Sequence, residues 1–210
     1  MPTDTPTPLA VLKTAPFIPV VTVDDAEKAV PLAQALVAGG VKIVEVTLRT
    51  PAAFEAIQAI ARDVPDILVG AGTILSADQF PAARDAGAQF FVGPGTTAEL
   101  LAAGRDIGLP YFPGTVTPSE VMAAKAMGFT ALKFFPAVPY GAPATLRYLA
   151  DVFPDVAFCP TGGVDGTNFR EFLALPNVVC VGGAWVAPRN LIQAGNWAAI
   201  TDRAAQVSTV

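Results

Sequence analysis

The stretch "VKIVEVTLRTPAAFEAIQAIARDVPDILVGAG" (41–72) decides the fold. Its opening, "VKIVEVTL" (41–48), is short, apolar and rich in β-branched residues, as strands are. "PAAFEAIQAIARDV" (51–64) is Ala-rich, with apolar residues at helical spacing. "DILVGAG" (66–72) then returns to a strand. Strand, helix and strand in so short a space make a crossover unit, whose two strands run parallel.

The same alternation extends both ways along the chain. "FIPVVTV" (17–23) and the helical "DAEKAVPLAQALVAGG" (25–40) come before it. After it come "AQFFVG" (88–93), "LPYFPG" (109–114), "TALKFF" (130–135), "VAFCP" (156–160) and "NVVCVGG" (177–183). Ser76, Thr96 or Thr97, Thr117 and Asp165 stand at N-cap positions, and Gly39, Gly87, Gly108 and Gly128 near helix ends. Eight strands alternating with helices predict one α/β domain over residues 1–210, most simply a closed (β/α)8 TIM barrel. A doubly wound open sheet is the alternative, but no G-x-G-x-x-G follows the first strand. "TDTPTPLAVLKTA" (3–15) is expected to add a short N-terminal helix across the barrel bottom. The segment after Pro188 reads as the last helix.

Composition narrows the chemistry. Hydrophobic residues make up 52% and charged residues 15% of the 210, which excludes wholesale disorder. No apolar run approaches the roughly 20 residues of a membrane span. The start lacks a basic region followed by an apolar core, so a cytoplasmic protein with no membrane association is expected. With a net charge of −5 and no basic cluster, nucleic acid is a poor partner. Cys159 and Cys180 both sit in apolar runs and read as buried, reduced thiols. The chain has no histidine. That removes Ser-His-Asp and Cys-His nucleophiles and the commonest transition-metal ligand. Acid–base work falls to carboxylates, lysine, tyrosine or water.

Strand parity then places the polar residues, since alternate side chains face the barrel interior. In 41–49, Ile43, Glu45, Thr47 and Arg49 share one face, and Val44, Val46 and Leu48 the other. A Glu, a Thr and an Arg climbing one face lead toward the carboxyl end, where barrel sites lie. A structural Glu–Arg ion pair at the mouth is the alternative. In 130–135 the same parity turns Ala131, Lys133 and Phe135 inward. An interior lysine beside an arginine favours the neutral amine, a nucleophile suited to forming a Schiff base with a ketone. Pairing with Glu45 for stability alone is the other reading, although a buried ion pair stabilises less well than apolar packing.

Glycines supply the far end of the site. "PTGGV" (160–164) and "VGGAW" (181–185) follow the seventh and eighth strands, where barrels commonly bind a substrate phosphate. "VGAGT" (69–73) and "VGPGT" (92–96) read as further strand-to-helix loops, or as ordinary turns.

Together "VEVTLRT" (44–50), "VGAGT" (69–73), "LKFFPA" (132–137), "CPTGG" (159–163) and the "VGG-W" frame (181–185) resemble the class I aldolases acting on 2-keto-3-deoxy-6-phosphogluconate and 4-hydroxy-2-oxoglutarate. The resemblance spans nearly the whole chain. It implies a homotrimer of barrel subunits, free of metal and other cofactors, that cleaves a 2-keto-3-deoxy sugar acid reversibly to pyruvate and an aldehyde. By that likeness Lys133 forms the Schiff base and Glu45 moves protons. Arg49 and Thr73 hold the pyruvate carboxylate, with Thr161 near the substrate and Phe135 in an apolar wall. Gly162, Gly163, Gly182 and Gly183 form the phosphate end.

Two positions depart from the family pattern. Ala184 stands where members acting on the phosphorylated acid carry a serine, which favours smaller or unphosphorylated 2-oxo-4-hydroxy acids. Gly93 replaces the serine common before "PG" and is expected to loosen the pocket. A sugar-phosphate isomerase or decarboxylase barrel without an imine, or a non-catalytic sugar-phosphate binder, would share the glycine loops.

Overall fold

The computed structural model describes residues 6–208. Its strands are β1 (Phe17–Val21), β2 (Ile43–Thr47), β3 (Leu68–Gly72), β4 (Phe91–Val92), β5 (Tyr111–Phe112), β6 (Gly114–Thr115), β7 (Ala131–Phe134), β8 (Ala157–Pro160) and β9 (Val181–Gly183). Each falls within or at the end of an expected apolar run. Six of them form a parallel sheet in the order β5-β4-β3-β2-β1-β9, and β6-β7-β8 form a second. Pro113 divides the run at 109–114 into β5 and β6, because proline has no N–H for the ladder. Its carbonyl still accepts from Lys133 N at 3.0 Å. Isolated parallel bridges, Phe158 to Val178 and Thr161 to Gly182, tie β8 to the segment ending in β9. The result is an α/β fold around a curled parallel sheet.

Helices fill the connections: α1 (Pro8–Leu12), α2 (Ala29–Ala38), α3 (Ala53–Asp63), α4 (Gln79–Asp85), α5 (Ala98–Asp106), α6 (Pro118–Ala126), α7 (Ala142–Val152), α8 (Phe169–Leu173), α9 (Arg189–Ala194) and α10 (Trp197–Ser208). Their starts partly follow the expected caps. Thr97 caps α5, and Thr117 with Glu120 closes a capping box on α6. The Ser76 hydroxyl makes no cap on α4; Gln79 Oε1 instead accepts from the N–H groups of Leu75 and Ser76. Asp165 turns to the N–H and hydroxyl of Thr167, and α8 begins four residues later at Phe169. The C-terminal segment is two helices, α9 and α10, broken at Gly195 in the left-handed region (φ 66°).

Val44, Val46 and Leu132 are fully buried in the hydrophobic core. Leu12, Ile18, Glu45, Val92, Phe112, Lys133, Cys159 and Thr161 line a common internal space of only ≈ 10 Å³. Six strands and α1 thus send one parity of side chains to the same interior, and Leu12 brings the N-terminal helix into contact with it. Both cysteines are free and buried, and burial pushes the Cys180 thiol well above its ordinary range. Among the described residues no helix is long and apolar enough to cross a membrane.

Candidate active site

The third residue of β2 and the third of β7 meet in the interior. Lys133 Nζ donates to Glu45 Oε1 at 3.2 Å, with each side chain 4% exposed. The Lys133 ammonium also stands 5.2 Å from the centroid of the Phe135 ring. Glu45 has room for its carboxylate because Gly72 faces it. A β-carbon on Gly72 would lie 2.1 Å from Glu45 Oε1.

Arg49 does not pair with Glu45. It lies just beyond β2, and its Nε donates to Thr73 Oγ1 at 3.1 Å. Thr73 holds φ 63°, a left-handed conformation costly for a β-branched residue. Lys133 thus pairs with Glu45, while Arg49 shares the cavity wall with it. Nucleophilic use of the amine requires its proton to leave, and Glu45 stands where it can accept one.

Above this pair opens a cavity of ≈ 310 Å³. Of the residues expected at the site, Arg49, Lys133, Phe135, Thr161, Gly162, Gly163, Gly183 and Ala184 line it. Glu45 lies beneath, reached through Lys133. Thr73 acts on the cavity through Arg49, and Gly182 lies behind Thr161. A β-carbon on Gly182 would fall 2.4 Å from Thr161 Oγ1. Gly162 and Gly163 have φ of 96° and 79°, so this loop needs glycine for its backbone course as well as for close approach to a ligand.

Gly93 corrects an expectation. A β-carbon there would lie 2.5 Å from Tyr111 Oη, and the Tyr111 ring packs edge-on against Phe80 and Phe129. The space left by the glycine is therefore filled by a tyrosine on the helix-facing side, and the cavity is not loosened. Burial pushes the Tyr111 hydroxyl well up from its ordinary value.

Sequence reading missed Gly72, Val20, Thr22, Trp185 and Arg189. Gly72 was read only as part of a loop, since its counterpart Glu45 is distant in the chain. Trp185 packs at a tilt against Phe17, with ring centroids 3.9 Å apart, and is part of the cavity wall. Arg189 carried no local signal at all.

A parallel-strand α/β enzyme with a buried lysine–glutamate pair beneath a cavity is the class that fold and site define. A family model described as KDPG and KHG aldolase matches residues 9–203, and the chain belongs to that family. The chain is 47% identical over 196 residues to the 2-dehydro-3-deoxy-phosphogluconate aldolase of Pseudoalteromonas atlantica, covering 93% of this chain and 91% of that one. It superposes with TM-score 0.95 and 45% identity on a KDPG aldolase from Legionella pneumophila, over 97% of this chain and 98% of the other. That crystal structure holds pyruvate captured at low pH as a covalent carbinolamine intermediate. The Zymomonas mobilis 2-keto-3-deoxy-6-phosphogluconate aldolase with 3-phosphoglycerate gives TM-score 0.91 at 40% identity, covering 98% and 96%.

Proposed function

We propose that this protein is a class I aldolase that cleaves 2-keto-3-deoxy-6-phosphogluconate reversibly to pyruvate and D-glyceraldehyde 3-phosphate. The observation that carries this reading is the buried Lys133–Glu45 couple at the floor of the cavity. Glu45 takes a proton from Lys133, and the free amine attacks the C2 ketone of the substrate to give a carbinolamine. Loss of water, assisted by Glu45, leaves a protonated imine. The C4 hydroxyl then gives its proton to Glu45, and the C3–C4 bonding pair moves into the imine, forming an enamine and releasing the aldehyde. Protonation at C3 and hydrolysis of the imine release pyruvate and restore Lys133. Arg49, held by Thr73, pairs with the C1 carboxylate, and Phe135 keeps water from the imine.

The reading extends to a closed eight-stranded barrel in one domain, supported by the bridges that join β8 to β9. It includes a cytoplasmic homotrimer. Exposed apolar side chains at Val138, Tyr140, Tyr148 and Val152, 44–76% accessible, support an assembly surface along α7 and the turn before it.

Ala184 favours a second reading, in which an unphosphorylated or shorter acid such as 4-hydroxy-2-oxoglutarate is preferred. Its methyl group offers no hydrogen bond to a phosphate, and such a bond to a charged group is worth about 1.5–3 kcal/mol.

Borohydride reduction in the presence of pyruvate tests the mechanism. A reduced adduct mapped to Lys133 by peptide mass spectrometry is expected. Its absence, with the protein folded, would rule out the imine route.

A further inference from the structure

We propose that Arg189 is the specificity-determining residue that reads the terminal phosphate of the substrate, in place of the hydroxyl that Ala184 lacks. This rests on the aldolase reading above and names a residue that reading leaves unused. The cavity wall carries three cations, Arg49, Lys133 and Arg189, and no carboxylate among the described residues that line it. That is an unusual concentration of one sign in a chain whose net charge is −5. A concave wall of one sign raises the local concentration of ligands of the other. The substrate's C1 carboxylate accounts for Arg49, and the ketone for Lys133. Arg189 is already paired with Asp24 but lines the same cavity, where a second anionic group on the ligand would meet its remaining donors.

The side chain is built to present that charge. Arg189 Nε donates to Asp24 Oδ2 at 2.7 Å, and its Nη2 donates to Asp24 Oδ1. Gln193 Nε2 holds the same carboxylate at 2.9 Å, and Lys28 Nζ bonds the Gln193 carbonyl. This two-point clamp fixes the guanidinium plane, while Nη1 bonds no acceptor among the described residues. Arg189 is also 58% exposed, so an incoming anion can reach it. Arg189 opens α9, one short loop after Gly183 at the end of β9, and Gly183 and Ala184 share its cavity. The backbone N–H of Ala184 bonds no backbone carbonyl among the described residues, so a phosphate there would meet both the guanidinium and a donor.

The test compares kcat/KM for 2-keto-3-deoxy-6-phosphogluconate and for 2-keto-3-deoxygluconate in the unaltered protein, Arg189→Ala and Arg189→Lys. Arg189→Ala is expected to lower the phosphorylated-to-unphosphorylated ratio at least tenfold, chiefly through KM. It is also expected to weaken competitive inhibition by inorganic phosphate to the same degree. Arg189→Lys keeps the charge without the planar fork and should fall between the two. A ratio within twofold of the unaltered protein overturns the proposal, including the case where both substrates lose equally because the loop is merely destabilised. Selective loss on 4-hydroxy-2-oxoglutarate overturns it as well. Borohydride trapping of pyruvate on the unaltered protein separates the two levels. Failure there sinks the aldolase reading, whereas trapping with an unmoved ratio sinks only the role of Arg189.

Discussion

Gly72 is a glycine because Glu45 occupies the space its side chain would take, with the carboxylate oxygen 2.1 Å from a β-carbon built there. Gly72→Ala is therefore expected to push the carboxylate away from Lys133 and lower kcat by at least tenfold. Gly93→Ala collides with Tyr111 Oη on the helix-facing side instead. Overpacking of this kind costs roughly 1–3 kcal/mol, so Gly93→Ala should lower the melting temperature and leave kcat nearly intact. Thermal melts and steady-state kinetics on both variants check the contrast. Loss of activity in Gly93→Ala alone would invert it.

Glu45→Gln preserves shape and removes the proton acceptor. Acid–base assistance of this sort contributes about 10²–10⁴-fold, and kcat should fall within that range. The change also leaves the Lys133 ammonium buried without its counterion, which costs several kcal/mol of stability. Denaturant titration beside the kinetics measures both effects. A variant with near-normal kcat would remove Glu45 from the proton path.

Thr73→Gly separates strain from binding. The left-handed backbone of Thr73 costs about 1–3 kcal/mol, and glycine adopts it freely at an entropic cost of roughly 0.5–1 kcal/mol. The variant should be equally or more stable, yet its KM should rise because Arg49 loses the hydroxyl that orients it. An unchanged KM would detach Thr73 from substrate binding.

Ala184→Ser restores the hydroxyl that the phosphate-specific pattern carries. One hydrogen bond to a charged group, at about 1.5–3 kcal/mol, corresponds to roughly 10- to 100-fold in affinity, so use of the phosphorylated substrate should improve at least about tenfold over the unphosphorylated one. A constant ratio would mean that this position does not discriminate.

Acid sensitivity follows from the surface carboxylates. Hydrogen bonds from Arg189, then from Gln193, hold Asp24 down from 3.8 to about 2. Arg62 lowers Asp63, Lys125 lowers Asp155, and Thr167 lowers Asp165. A carboxyl lowered in the folded state stabilises above its unfolded value, and that contribution is lost as pH falls through the folded one. The melting temperature should thus be insensitive to these groups between pH 6 and 8 and drop from about pH 4 toward pH 2. Calorimetry across that window, with Asp24→Asn showing a shallower fall, checks it.

Much of this was legible in the chain. The eight apolar runs located the strands, one of them split in two at Pro113, and the two-residue parity of "VKIVEVTLR" and "TALKFF" placed Glu45 and Lys133 on interior faces. Periodicity is a local property that each segment expresses in its own residues. What it could not express is distance between segments. Lys133 and Glu45 are 88 residues apart in the chain, and only the curling of the parallel strands around a common interior brings them to 3.2 Å. The same limit explains why Gly93 was misread and Gly72 passed over, because each is defined by the side chain that fills its missing β-carbon. Arg189 depends on it most, since Asp24, its clamp, lies 165 residues away at the other end of the chain. Local sequence determined which residue types could do the chemistry, whereas tertiary packing alone decided which partner each one met.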